Sequence, residues 1–352
     1  MKLAIVTDAW HPQINGVVTT MARVVERAQQ RGIEVDVIEP SQFRTVPCPR
    51  YEKEIRLAIN PWRVIGRLKQ SNPDCVHIVT EGPLGLFARL WLARNRIPFT
   101  SAYHTRFPEY VHNLWPFLSI DFGYAVLRRF HGASQAVFVS TDSMRQELAQ
   151  YGFTNLKPWS RGVDAELFHP DKRLLGQTRF AHLPRPWFTY VGRVAPEKNL
   201  EAFLRLELPG SKIVVGDGPA RAQLQHQFPD TCFAGFQTGE ALASCFAAAD
   251  VFVFPSRTDT FGVVLLEAMA CGTPVAAFPV TGPKDVVVAG TTGCLSEDLQ
   301  SAALQALELD RTECRAHAVG FTWARAADIL LDNLARIPAG QIQKAYYALP
   351  FA

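Results

Sequence analysis

At 352 residues the chain is more than twice the length of an ordinary domain, and its 48% apolar against 20% charged side chains exclude disorder and point to two globular units. The net charge of +3, from 36 Lys and Arg against 33 Asp and Glu, disfavours general nucleic-acid binding. Residues 1–170 carry 20 basic and 15 acidic side chains and residues 171–352 carry 16 and 18, so the first half is the more positive; that suits a membrane surface or an anionic acceptor, and equally an uneven solvated surface.

Leu3–Thr7 reads as a buried strand, followed by the loop Asp8–Asn15, a helix over Gly16–Gln30 and a strand at Ile33–Ile38, together one βαβ unit. Further strand-like runs at Cys75–Val79, Phe99–Tyr103 and Ala136–Val139 alternate with helical segments, the pattern of a parallel sheet covered on both faces. The second half repeats it, with strands at Trp187–Val191, Lys212–Val215, Val251–Phe254 and Pro274–Phe278 and helices starting near Leu200, Pro219, Glu240, Val263 and Asp298. Phe168–Pro186, with prolines at 170, 184 and 186, breaks both periodicities and is predicted to link the domains; Phe321–Arg336 is predicted as a final helix. The fold class is therefore α/β, two Rossmann-like domains with a cleft between them as the default ligand site.

Asp121, Asp250 and Glu267 interrupt the greasiest stretches, so no membrane-spanning helix is predicted, and Met1–Asp8 lacks the features of a signal peptide, which points to the cytoplasm. Seven scattered cysteines with no C-x-x-C spacing argue against disulfides and structural zinc.

Four places carry chemistry. In Ser256–Val275 a polar loop opens a helix at about Gly262, whose exposed amides and dipole suit a diphosphate. Asp259 lies in that loop and Glu267 among Val264, Leu265, Leu266, Ala268 and Met269, where a carboxylate needs a partner such as a ribose diol; alternatively Asp259 caps the helix and Glu267 faces water. In Tyr190–Asn199 a strand ends at Gly192 and Arg193 and Lys198 follow, cations that can clamp a leaving diphosphate or simply sit in solvent. Val214–Pro219 is a glycine turn that permits close backbone approach to a ligand or is equally a plain turn, and the loop before Gly16 does not spell a dinucleotide fingerprint, which disfavours NAD. His104 stands just past a strand, where an imidazole reaches a sugar hydroxyl or is merely structural; Arg161 could meet a phosphate, an acidic acceptor or Asp164.

Taken together, Asp259 with Glu267, Gly192 and Arg193 with Lys198, the glycine turn, the run from Arg161 to Pro170 and the N-terminal loop resemble retaining glycosyltransferases of family 4, of the GT-B fold, over roughly Met1–Leu334. The wording Thr258–Gly262 is similar to bacterial GDP-mannose-dependent α-mannosyltransferases and sulfoquinovosyl-type glycolipid transferases. The resemblance implies that Glu267 holds the ribose, Arg193 and Lys198 the diphosphate, and that Gly16 lets the first domain's backbone approach the phosphate. Asp259 and the backbone of Thr260, Phe261, Gly262 and Val263 would hold the donor sugar, with His104 across the cleft. It divides the chain into an acceptor-side domain 1–168, a linker 169–186, a donor-binding domain 187–320, and 321–352 returning to the first domain.

The implied reaction moves a hexose, with mannose from GDP-mannose the best expectation, to a lipid or glycan acceptor with retention, without a metal or other cofactor because the cations neutralise the leaving group. Alternatives are a UDP-sugar-dependent glycolipid transferase, a nucleotide-sugar epimerase or hydrolase, and a non-catalytic sensor; backbone contacts near Gly235–Gln237 could read guanine or uracil. Arg56–Lys69 and Leu114–Phe130 mix basic and aromatic residues in the more positive half, which suits peripheral binding at an anionic membrane as well as ordinary core helices.

Overall fold

The computed structural model describes residues 1–13, 15–48, 55–115 and 117–345. Two compact units emerge: Met1–Ser160 with the chain from Ala324 onward, and Arg161–Trp323. The first holds a parallel sheet in the order Glu34–Ile38, Lys2–Val6, Cys75–Ile78, Thr100–Tyr103, Ala136–Val139, Leu156–Pro158. Its four central strands are buried on both faces, whereas the edge strands Glu34–Ile38 and Leu156–Pro158 are partly exposed and carry charges. Leu3 and Ile5 pack with Met21, Trp159 and Leu330 on one side, while Ala4 and Val6 pack with Trp91 and Phe99 on the other. The predicted helix Gly16–Gln30 forms as expected, opened by Asn15, whose Oδ1 accepts from the amides of Val17 and Val18 at 3.0 Å each. In the loop before it, Ile14 lies outside the described residues.

The second unit holds a six-stranded parallel sheet in the order Cys232–Gly235, Ser211–Val215, Trp187–Val191, Val251–Phe254, Val275–Ala277, Gly293–Leu295. Counted along the chain this is the 3-2-1-4-5-6 arrangement, whose direction switches between the first and fourth strands. Alternation again sends Phe252 and Phe254 to one face and Val251 and Val253 to the other. The switch leaves the loops after Val191 and Phe254 side by side at the carboxyl ends of neighbouring strands.

The stretch 169–186 does not behave as the linker expected from its prolines. It contains the helix Arg173–Phe180, and Phe180 is buried edge-on against Trp187 at 5.8 Å, so the segment belongs to the second unit. Pro170 opens a short 3-10 turn instead of marking a flexible joint. The chain crosses at Ser160–Arg161 and returns at Trp323–Ala324. The helix predicted over Phe321–Arg336 is Trp323–Asp332, shorter at both ends because Phe321 is tied to Val163 and Arg336 bridges to Cys75, and it is not the last: a short helix Gln341–Lys344 follows. Of the expected returning segment 321–352, residues 346–352 lie outside the described residues.

Candidate active site

The loop after Trp187–Val191 is held by its own strand and by its neighbour. The Tyr190 hydroxyl donates to the carbonyl of Arg193 at 2.8 Å. On the other side the glycine turn closes in: a Cβ on Gly216 would stand 1.9 Å from the carbonyl oxygen of Gly192, so only glycine fits there. Sequence reading allowed this turn to serve a ligand or nothing; its close approach is to the Arg193 loop itself. Asn199, in the left-handed conformation, ties that loop to the next by donating from Nδ2 to the carbonyl of Pro255 at 3.1 Å.

These ties bring the expected charges together. Lys198 Nζ donates to Asp259 Oδ1 at 2.6 Å, and Arg193 forms an ion pair with Glu197. Burial opposes ionisation of Asp259, but the charge and hydrogen bond of Lys198, with help from Ser256 and Arg193, outweigh it and hold the carboxyl below the usual value. Asp259 is therefore an anion at neutral pH. Its second oxygen, Oδ2, is buried, and although the Ser256 hydroxyl is near enough to favour the carboxylate, neither of these atoms makes a well-formed hydrogen bond among the described residues. Asp259 does not cap the following helix, which has no side-chain cap.

That helix, Val263–Ala270, follows Gly262 at φ 80°, a left-handed turn that a residue with a Cβ adopts only under strain. Phe261 anchors the loop in the core, and the opening amides at Val263 and Val264 are left without side-chain competition. Glu267 stands one turn further on, four residues after Val263 and hence on the same face. It is half-buried, and burial alone raises its carboxyl to about 7. Among the described residues it has no hydrogen-bond or ion-pair partner, so it is neither turned fully to water nor satisfied by the protein.

In the first unit, Gly16 begins its helix with open space around its Cα. His104 is half-buried beyond Thr100–Tyr103, its ring 5.6 Å edge-on from Trp159. Arg161 was expected inside the acceptor-side domain 1–168; it instead begins the second unit, only 4% exposed, and burial lowers its guanidinium to about 9. Sequence reading missed Glu197, passed over between two cations, and Asp8, read only as the start of a loop. Asp8 is buried after Lys2–Val6 and accepts from the amides of Leu84 and Gly85 at 2.9 and 3.2 Å and from the Thr80 hydroxyl at 3.0 Å. The acid was visible at a strand's carboxyl end, but its partners lie more than 70 positions away.

The aromatic stretches divide. Val64, Ile65, Leu68, Tyr124 and Phe130 are core, whereas Trp62, Trp115, Phe117 and Phe122 are exposed, Phe117 to 80%. No described helix is long and apolar enough to cross a membrane. Among the described residues no three His, Cys, Asp or Glu side chains gather as a metal-binding group.

Two family models match the chain: Glycosyltransferase Family 4 over residues 14–167 and Glycosyl transferases group 1 over residues 185–309. A GDP-mannose-dependent alpha-mannosyltransferase of Mycolicibacterium smegmatis is 31% identical across 89% of this chain and 86% of its own. The chain belongs to glycosyltransferase family 4. A sulfoquinovosyl transferase of Arabidopsis thaliana is 32% identical to this glycosyltransferase over 69% of the chain and half of its own length. Among solved structures, Anabaena HepE in complex with UDP superposes with a TM-score of 0.71 at 17% identity, covering 94% of this chain and 99% of its own. That likeness shows the fold, two parallel-sheet α/β domains of the GT-B class, as the resemblance implied.

Proposed function

We propose that this glycosyltransferase moves a hexose, mannose from GDP-mannose, to a lipid or glycan acceptor with retention of configuration, working on the cytoplasmic side of a membrane in peripheral contact with its anionic surface. The observation that carries the reading is the ionised Asp259, gripped through one oxygen by Lys198 while its other oxygen is buried without a well-formed bond. A buried acceptor left unmade costs about 1–3 kcal/mol, and a hydroxyl of the donor sugar is the group to satisfy it. Beside it, Arg193, Lys198 and the uncapped start of Val263–Ala270 supply the positive field that a departing diphosphate needs. Glu267, unpartnered and half-buried, is suited to accept from both ribose hydroxyls. His104 would meet the sugar, Gly16 would leave room for the phosphate, and Arg161 stands as a candidate for an acidic acceptor.

In this mechanism the acceptor hydroxyl attacks on the face from which the diphosphate leaves, and its proton passes to the leaving phosphate oxygen. The two cations take the neutralising part that a metal plays elsewhere. Mannose as the donor sugar is supported by the M. smegmatis relative; a UDP-sugar is favoured instead by the UDP-bound neighbour. A thermal-shift panel of GDP-, UDP- and ADP-sugars, run with and without EDTA, separates them. GDP-mannose at about 100 times its dissociation constant should stabilise the protein by roughly 2.7 kcal/mol, undiminished by EDTA. A response to UDP-sugars alone would move the donor to that class, and a response that EDTA abolishes would contradict the metal-free reading.

A further inference from the structure

The donor loops use the carboxyl ends of the strands in the second unit; the amino ends carry a separate cavity of about 450 Å³. Arg185 lies just before Trp187–Val191 and Asp250 just before Val251–Phe254, and Arg173, Arg311, Leu307 and Leu309 join them in its lining. Part of this is structural. Asp250 accepts from Arg185 Nη1 at 2.6 Å and from the Trp187 amide at 2.8 Å, and Arg311 donates to the carbonyls of Ala249 and Ala247 at 2.8 and 2.9 Å and to the Thr273 hydroxyl at 3.0 Å.

What the fold does not require is the surplus. Arg173 reaches Asp250 only at 3.4 Å, the longest of that acid's contacts; the Gln177 amide oxygen, turned toward the arginines, accepts from Arg173 Nε at 3.1 Å and Arg185 Nη2 at 3.3 Å, but it is neutral, and a guanidinium presents five N–H donors. Three guanidiniums and one carboxylate leave a net of two positive charges around a cavity of the size that holds small ligands. The crowding is felt: burial first, and then the charge of Arg173, lowers Arg311 to about 10. Arg185 is fixed over the Trp187 ring at 4.1 Å, so its fork is pre-organised. Beside the charges, Leu307 and Leu309 give an apolar wall.

We infer that this cavity binds a phosphate group, most tightly as a phosphomonoester whose organic part rests on Leu307 and Leu309, at a site separate from the donor loops. Two negative charges match the surplus, and forked guanidiniums suit phosphate oxygens.

The test titrates phenyl phosphate calorimetrically into the native protein, Lys198→Ala, Arg173→Gln and Arg185→Gln, with melting curves confirming that each variant is folded. Saturable binding is expected in the native protein, within about twofold of the same affinity in Lys198→Ala, and about tenfold or more weaker in Arg173→Gln. Arg185→Gln should act in the same direction, which keeps the test informative if either arginine variant is unstable. Inorganic phosphate, run as a competitor, separates the sources: equal affinity means that the ion alone is read, and weaker affinity means that the leucine wall contributes. Absence of saturable binding would overturn the inference. So would binding lost in Lys198→Ala, or binding that neither arginine substitution weakens.

Discussion

Glu267 is the residue whose chemistry is most exposed to test. Its unfolded carboxyl titrates near the ordinary 4.5 and its folded one near 7, so between those values the folded chain holds the extra proton. Stability from this group is therefore fullest below about pH 4.5 and falls as the pH rises to about 7. Each pKa unit corresponds to about 1.4 kcal/mol, so Glu267→Gln should stabilise the ligand-free protein at pH 8 by on the order of 1 kcal/mol and change little at pH 4.5, measured by denaturant unfolding. A ribose diol donating to the carboxylate reverses the preference: nucleotide affinity should rise from pH 6 to 8 in the native protein and stay flat in Glu267→Gln. Matching profiles in the two proteins would show that Glu267 does not meet the ribose. At this scale the sequence was informative where chemistry is local. Arg193, Lys198 and Asp259 stand out in the sequence as charges in loops at strand ends, and the fold gathers those loops. That Asp259 pairs with Lys198 instead of capping the helix was not legible, since the two lie 61 positions apart.

Elements were legible in proportion to their burial. Ala136–Val139, Trp187–Val191 and Val251–Phe254 were found to the residue, since strands covered on both faces are unbroken apolar runs. Leu156–Pro158, Cys232–Gly235 and Gly293–Leu295 were missed: each has only three or four residues, includes a proline or a glycine, and all but Gly293 of the last are partly exposed or exposed. The linker was misplaced because proline marks the ends of elements as readily as flexible joints. Asp8 belongs to this scale too. The helix Pro83–Arg94 begins after Gly82, which has no side chain to cap it, and Asp8 supplies the cap from the end of another strand. Asp8→Ala should therefore cost about 1–3 kcal/mol in denaturant unfolding, because two buried amides lose their acceptor. Unchanged stability would mean that water replaces the carboxylate at no cost.

For the molecule as a whole, the α/β class and the doubling of the sheet followed from the alternation of runs along the chain. The exact crossing points did not, because they rest on pairings such as Val163 with Thr322. The surface distribution also answers a question that periodicity left open. Helical spacing could not tell core aromatics from displayed ones, and only the fold shows that Trp62, Trp115, Phe117 and Phe122 of the first unit face outward. Together with the excess of basic residues in residues 1–170, they support the proposed peripheral contact with an anionic bilayer. The protein should sediment with anionic liposomes at low salt and be released as salt rises, and Phe117→Ser with Phe122→Ser should weaken binding several-fold. Failure to sediment with anionic vesicles at low salt would remove the membrane from the account.

The central claim is that Arg193 and Lys198 grip the diphosphate of an activated sugar. Its most direct measurement compares calorimetric affinities for the nucleoside diphosphate chosen by the donor panel and for the matching nucleoside monophosphate, in the native protein, Arg193→Ala and Lys198→Ala. Each substitution should weaken diphosphate binding by about 10- to 100-fold and leave monophosphate binding within a few-fold of native. Equal losses for both nucleotides, or no loss for either, would contradict it.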